Sequence, residues 1–327
     1  MLTVGEISAE KGVKKSGFLT IVDKEGFSVE IPVILINGMK PGPVLWINAG
    51  IHGAEYSGIE AAIRISTDIT PQKLSGALII LPIVNIAGFF SRSIYICPID
   101  NKNLNRVFPG KKDGSLSEII AYTLIEEIAP KVSYLIDLHG GDMVEALYPF
   151  VAIKKTGEKD VDTTAEDLAI YYGIKTVIEI TEDAVGWTGE GTLFATMAKR
   201  GVPALLAEAG GVGQLDETSV SMHYNGLINV MKYLGMLEAA PTKPEGHEFF
   251  NDFIWLYSSH QGIFYAKVKA GDKVTVGQPV GEVRDYFGRI LETIASPVEG
   301  RVLFLVSSPA TKENGLVMGI GKASNKA

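Results

Sequence analysis

The chain is poor in the features that mark several protein classes. It has one cysteine, Cys97, among 327 residues, which excludes an intramolecular disulfide and suits a reducing cytoplasm. No apolar run approaches the ~18 residues that span a bilayer. The opening residues MLTVGEISAEKGVKKSG hold no apolar signal-peptide core. Positive charge is not in excess either: 30 Lys and Arg stand against 38 Asp and Glu, a net of −8. Nucleic acid and anionic membranes need a concentrated basic patch and are not expected partners. A cytoplasmic protein acting on a small molecule is expected, and a homo-oligomer stays open.

Apolar residues are plentiful, at 46%, enough for a sizeable core without covalent staples. The length suggests about two domains on a prior of roughly 150 residues each. Residues 1–40 read as short strands. From Pro43 to Leu237 apolar runs alternate with helical patterns, as in strand–helix units around a largely parallel sheet. The strand candidates are PVLWINAG, ALIILPIVN, VSYLIDLHG and VPALLAEAGG. The helix candidates include GIEAAIRISTDI, SLSEIIAYTLIEEIA, DTTAEDLAIYYG and GTLFATMAKRG. The stretch EAAPTKPEGHE (238–248) reads as a linker, and short glycine-punctuated strands follow it. The expected fold is α/β, a mixed, largely parallel sheet flanked by helices, with a small all-β C-terminal domain. Residues 1–240 would form the first domain and 241–327 the linker and a β-sandwich.

Three strand candidates end in chemistry-bearing residues: His52 and Glu55 after LWINAG, His139 after LIDL, and Glu208 within ALLAEAGG. Ligands of open parallel sheets gather outside the carboxyl ends of the strands. Two imidazoles and two carboxylates are thus brought to one rim. His52 and Glu55, at i and i+3, can converge on one ion, and His139 adds a third donor. Two His and one Glu with no thiolate suit Zn²⁺ with an open coordination position, leaving Glu208 as a separate general base. The plainer readings are a satisfied core His139 and a first-turn Glu55 favoured by the helix dipole. Asp137 is either structural or an acceptor that orients His139. His223, His247 and His260 lie outside strand-end motifs, and Cys97 has no nucleophile motif nearby.

The segment PIDNKNLNRVFPG (98–110) lacks helical or strand periodicity and places Asn103, Asn105 and Arg106 in one loop. Arg106 offers a planar fork for a carboxylate and Asn105 an orienting amide. Without the metal motif, the loop reads better as surface with an ion pair.

The motifs GIHGAEYSG, NLNRVFPG, DLHGG and LLAEAGG, in this order, resemble the succinylglutamate desuccinylase/aspartoacylase family of zinc carboxypeptidase-like hydrolases. The resemblance covers roughly residues 40–235, and NLNRVFPG is similar to members of the N-acetyl-diaminobutyrate deacetylase type. It implies one zinc per chain on His52, Glu55 and His139, a catalytic base at Glu208, and an Asn105–Arg106 pair that grips the carboxylate of an N-acyl amino acid. Such enzymes usually carry another arginine a few residues before this segment, to polarise the scissile carbonyl. Here SRSIYICPID puts Tyr95 near that place, with Arg92 as the shifted alternative.

The tail GIFYAKVKAGDKVTVGQPVGEVRDYFGRILETIASPVEGRVL resembles a biotinyl/lipoyl-type β-sandwich. Arg289 stands where a carrier needs its lysine, and arginine cannot form that amide. A scaffold role remains, with the apolar FFNDFIWLY (249–257) as a docking strip and Tyr286 as a further contributor to the site. The function expected is zinc-dependent hydrolysis of a small N-acyl amino acid, at a carbon–nitrogen bond other than a peptide bond. The alternatives are a small-peptide metallocarboxypeptidase and a catalytically impaired metal-containing binding protein.

Overall fold

The four apolar runs singled out in the sequence all enter one mixed sheet. In a computed structural model, which describes residues 1–324, Lys40–Ala49 pairs in parallel with both Ser75–Leu81 and Tyr134–His139. Tyr134–His139 pairs in parallel with Ala204–Glu208. Phe150–Lys154 joins antiparallel to Ala204–Glu208, and Thr176–Ile180 continues parallel to Phe150–Lys154. On the other side Ser28–Asn37 and Lys14–Val22 close the edge antiparallel.

Side chains alternate across a strand with a period of two, and two apolar clusters follow from it. Leu45, Ile47, Ile136, Leu138 and Leu205 face the helices Tyr56–Asp68, Lys159–Tyr172 and Glu217–Tyr233. Trp46, Leu135, Ala204 and Leu206 face the other way, toward Leu116–Ile128 and Leu193–Lys199. Both faces are covered, which is why these strands read as near-continuous apolar runs. Among the described residues no helix is long and apolar enough to cross a membrane.

The C-terminal region is antiparallel and all-β, and the main sheet runs into it. Glu248–Ser258 pairs in parallel with Thr176–Ile180 and antiparallel with Gly315–Ala323. Among the described residues the sheet counts 13 strands, and a separate four-stranded sheet holds Gly262–Ala266, Pro279–Arg284, Ile290–Ala295 and Ala310–Thr311. The segment 249–257 is therefore an integral strand. Its Phe250 and Phe253 belong to the same cluster as Trp46 and Leu206.

Candidate active site

Strand Lys40–Ala49 leaves the sheet through Gly50, whose φ of 65° bends the chain sharply, and His52 follows. At Gly53 a Cβ atom would lie 2.1 Å from the Phe89 amide nitrogen, so the turn closes only with glycine. Glu55 then precedes helix Tyr56–Asp68 at the N-cap. On the neighbouring strand Asp137 and His139 fall on the Trp46/Leu206 face by alternation, and His139 ends the strand. Glu208 is the register partner of His139 and projects from the same face. The topology thus assembles the rim expected of it.

His52 Nδ1 lies 2.6 Å from Glu55 Oε1 and His139 Nδ1 lies 2.8 Å from Glu55 Oε2. All three side chains are buried, and donor atoms of the three lie within 4.8 Å of one another. Asn103 Oδ1 accepts from the Asn105 amide, which fixes it as the oxygen, and it also lies 3.0 Å from His52 Nε2. The proton of neutral His52 therefore belongs on Nε2 and its Nδ1 lone pair points at a carboxylate. Asp137 Oδ2, 3.2 Å from His139 Nε2, favours the same tautomer there. Two lone pairs and a carboxylate aimed at one point repel unless a proton or a cation sits between them. The donor set fits a divalent metal ion.

The electrostatics agree. Burial would raise the Glu55 carboxyl, but His52 and His139 pull it down to about 2. Burial works against a charged His139, yet Asp137 and Glu55 outweigh it and raise that imidazole well above 6.5. Glu208 moves up strongly, first through burial and then through the charge of Glu55. Its Oε2 is out of solvent and has no hydrogen-bond partner among the described residues. It lines, with His52, Glu55 and His139, a cavity of about 330 Å³, at the small end of the range for small-molecule sites.

Asn105 and Arg106 line the same cavity. Asn105 Oδ1 accepts from the Leu193 amide at 3.0 Å, pinning the loop to helix Leu193–Lys199, while Nδ2 lies 3.4 Å from His139 Nε2. Arg106 Nη1 donates to the Asn105 carbonyl at 2.7 Å and leaves the rest of its fork free for a ligand. Tyr95 is in the cavity wall, but its hydroxyl donates to Glu145 Oε1 at 2.8 Å. A phenol has one proton, so in this arrangement Tyr95 does not polarise a carbonyl.

Two expected contributors are elsewhere. Arg92 is exposed at the C-cap of helix Ile86–Ser91 and does not line the cavity. Tyr286 sits 74% exposed in the turn between Pro279–Arg284 and Ile290–Ala295, also outside the cavity wall. That hairpin tip points its aromatics to solvent because its strands bury only their inner positions. Conversely, Glu145, Trp187 and Trp255 line the cavity without having been singled out as site residues. Trp187 Nε1 is buried and has no hydrogen-bond partner among the described residues. The only sequence signal for it was a tryptophan in a polar, glycine-rich stretch, VGWTGEG. His223 is buried between Tyr172 and the Ala209 carbonyl, which satisfies both ring nitrogens away from the cavity.

The motif geometry and the sheet order find their counterpart in known proteins. The succinylglutamate desuccinylase/aspartoacylase catalytic domain matches residues 41–234, more than half of the chain. The chain belongs to this family. A curated relative, the N-alpha-acetyl-L-2,4-diaminobutyric acid deacetylase of Halomonas elongata, is 29% identical over 280 residues, covering 84% of this chain and 78% of that protein. Among solved structures, the succinylglutamate desuccinylase/aspartoacylase of Rhodobacter sphaeroides superposes with a TM-score of 0.85 at 22% identity, covering 98% of both chains. The product-bound ectoine utilization protein EutE of Ruegeria pomeroyi gives a TM-score of 0.85 at 23% identity, over 97% of this chain and 98% of that one. The last two establish the fold, including its C-terminal β region.

Proposed function

We propose that the protein is a zinc-dependent deacylase that hydrolyses the amide bond of a small N-acyl amino acid. The observation that carries the reading is the convergence of His52, Glu55 and His139 within 4.8 Å, with an unpartnered Glu208 oxygen in the same small cavity. The named activity of the Halomonas elongata relative, removal of an acetyl group from a diamino acid, supports it. Bound at these three residues, zinc supplies Lewis acidity toward the acyl carbonyl and makes water acidic enough to act near neutral pH.

The chain's own residues divide the remaining work. Glu208 takes the proton from the attacking water and delivers it to the departing amine, and burial beside Glu55, which raises its carboxyl, favours holding that proton in between. Arg106 fixes the substrate carboxylate with the part of its fork that Asn105 leaves free. Asn103 and Asp137 orient the two imidazoles. The cavity of about 330 Å³, with Phe253, Trp255 and Phe304 in its lining, matches an acylated amino acid better than a polypeptide. That speaks against the carboxypeptidase alternative. The test is a panel of N-acyl amino acids and short peptides offered to zinc-loaded protein. Release of free amino acid from the former supports the reading, and trimming of a ten-residue peptide overturns it.

A further inference from the structure

The reaction above leaves one cavity carboxylate without a task. Glu145 opens the short strand Glu145–Leu147, which pairs with Gly300–Val306. Its Oε1 accepts from the Tyr95 hydroxyl at 2.8 Å and its Oε2 accepts from the Asp142 amide at 2.9 Å. Both donors are neutral. Among the described residues no lysine, arginine or histidine nitrogen pairs with it. Arg106 shares the cavity and feels the charge of Glu145, but among the described residues its guanidinium bonds to the Asn105 carbonyl and not to Glu145.

This carboxylate is held in place deliberately. Tyr95 adopts φ 59°, a left-handed conformation unusual for a bulky residue. Its amide donates to Asp142 Oδ2 at 2.9 Å, which fixes that backbone and so keeps the phenol on Glu145. Burial pushes the Glu145 carboxyl up to about 7, against the two hydrogen bonds it accepts. A cation brought by a ligand would relieve that penalty. The same cavity carries Trp187, Trp255 and Phe304, and aromatic faces attract cations.

We infer that Glu145, positioned by Tyr95 and Asp142, is a specificity residue that receives an ammonium group on the amino-acid part of the substrate. Arg106 and Glu145 then read opposite charges of one molecule, and the preferred substrate class is the N-acyl diamino acid. The inference rests on the deacylase reading and narrows its substrate.

The experiment compares isosteres that differ by ammonium for methyl. The pairs are Nα-acetyl-2,4-diaminobutyrate with N-acetylnorvaline, and Nα-acetylornithine with N-acetylnorleucine, in wild type and Glu145→Gln. Wild type should favour the cationic member of at least one pair by roughly 30-fold or more in kcat/KM, the scale of a desolvated charge pair. Glu145→Gln should bring that ratio close to one. Calorimetry of the metal-free wild-type protein with the four free amino acids gives a readout independent of turnover, and the cationic member should bind more tightly. Hydrolysis without charge preference overturns this inference and leaves the deacylase reading intact. Absence of any hydrolysis with cation-selective binding does the reverse. A preference that survives Glu145→Gln, or four amino acids that bind alike or not at all, also overturns it.

Discussion

Glu208 and His139 are register partners on adjacent parallel strands, and this places the unpartnered carboxyl directly beside the proposed metal site. In the proposed reaction a residue in that position moves protons without holding the metal. Glu208→Gln should therefore keep about the wild-type zinc content while kcat falls by ~10²–10⁴-fold, the range for a lost acid–base group. Normal turnover by this variant, measured alongside its zinc content, assigns the base to another residue.

Metal binding should be visible in stability as well as in activity. The donor atoms of two imidazoles and a carboxylate converge on one point and become a matched set once a cation binds there. Ligand that binds only the folded state adds stability by mass action, about 2.7 kcal/mol at a hundredfold excess over Kd. The thermal midpoint of the metal-free protein should rise on adding zinc. His52→Ala and His139→Ala should lose that rise and the activity together. A midpoint equally raised in both variants would place the ion elsewhere.

Arg106 supplies the cavity's guanidinium, and among the described residues one of its nitrogens is engaged, by the Asn105 carbonyl. Arg106→Ala and amidation of the substrate carboxylate remove the same charge pair from opposite sides. Each should lower kcat/KM by ~2–5 kcal/mol, and the two losses should not add. Additive losses in a double-mutant cycle would show that the carboxylate is held by something else.

Glu145 links the cavity to pH. Its carboxyl is lifted from an ordinary 4.5 to about 7, with burial the leading cause. The folded state then holds a proton that the unfolded chain has already released. The stability tied to this group is fully present below about pH 4.5 and is lost as pH rises through about 7, a decline on the order of 2 kcal/mol. Urea unfolding of metal-free wild type and Glu145→Gln at about pH 5 and about pH 8 measures it. The variant should show the smaller decline.

Much of the site was legible because it lies where period and topology coincide. His52, His139 and Glu208 each end an apolar run, and parallel strands align such ends whatever their order in the chain. Glu145 carried no comparable mark: DMVEALYPF has neither period, so nothing in it says which way the carboxyl faces. The place of Tyr95 is readable from the motif, but its left-handed backbone and its bond to Glu145 are long-range outcomes. The segment after the linker misled for another reason. Proline and glycine in EAAPTKPEGHE mark a stretch without regular structure over 240–247, yet such a stretch does not reveal that the next strand rejoins the same sheet beside Thr176–Ile180. Parallel pairing is non-local, and its apolar residues look the same on a docking strip and in a core.

That strand makes the C-terminal region part of the fold's stability and of the cavity at once. Phe253 is 1% exposed, its ring lies 5.7 Å from Phe150 and 4.5 Å from Trp255, and the neighbouring Asp252 accepts from the Val185 and Gly186 amides. Removing residues beyond about Lys243 would strip Phe250, Phe253, Leu303 and Phe304 from a cluster that also contains Trp46 and Leu206. It would also leave Thr176–Ile180 as an open parallel edge, a template for aggregation. The shortened chain should be insoluble or bind apolar dyes. Phe253→Ala in the full chain should cost ~3–5 kcal/mol, as for other buried aromatics cut to alanine. Trp255→Ala acts differently, because that ring is only half-buried and lines the cavity. It should change stability less than Phe253→Ala and raise KM more. Urea unfolding and steady-state kinetics on the two variants separate these roles, and a soluble, active chain ending near Lys243 would show that the first 240 residues need no partner strand.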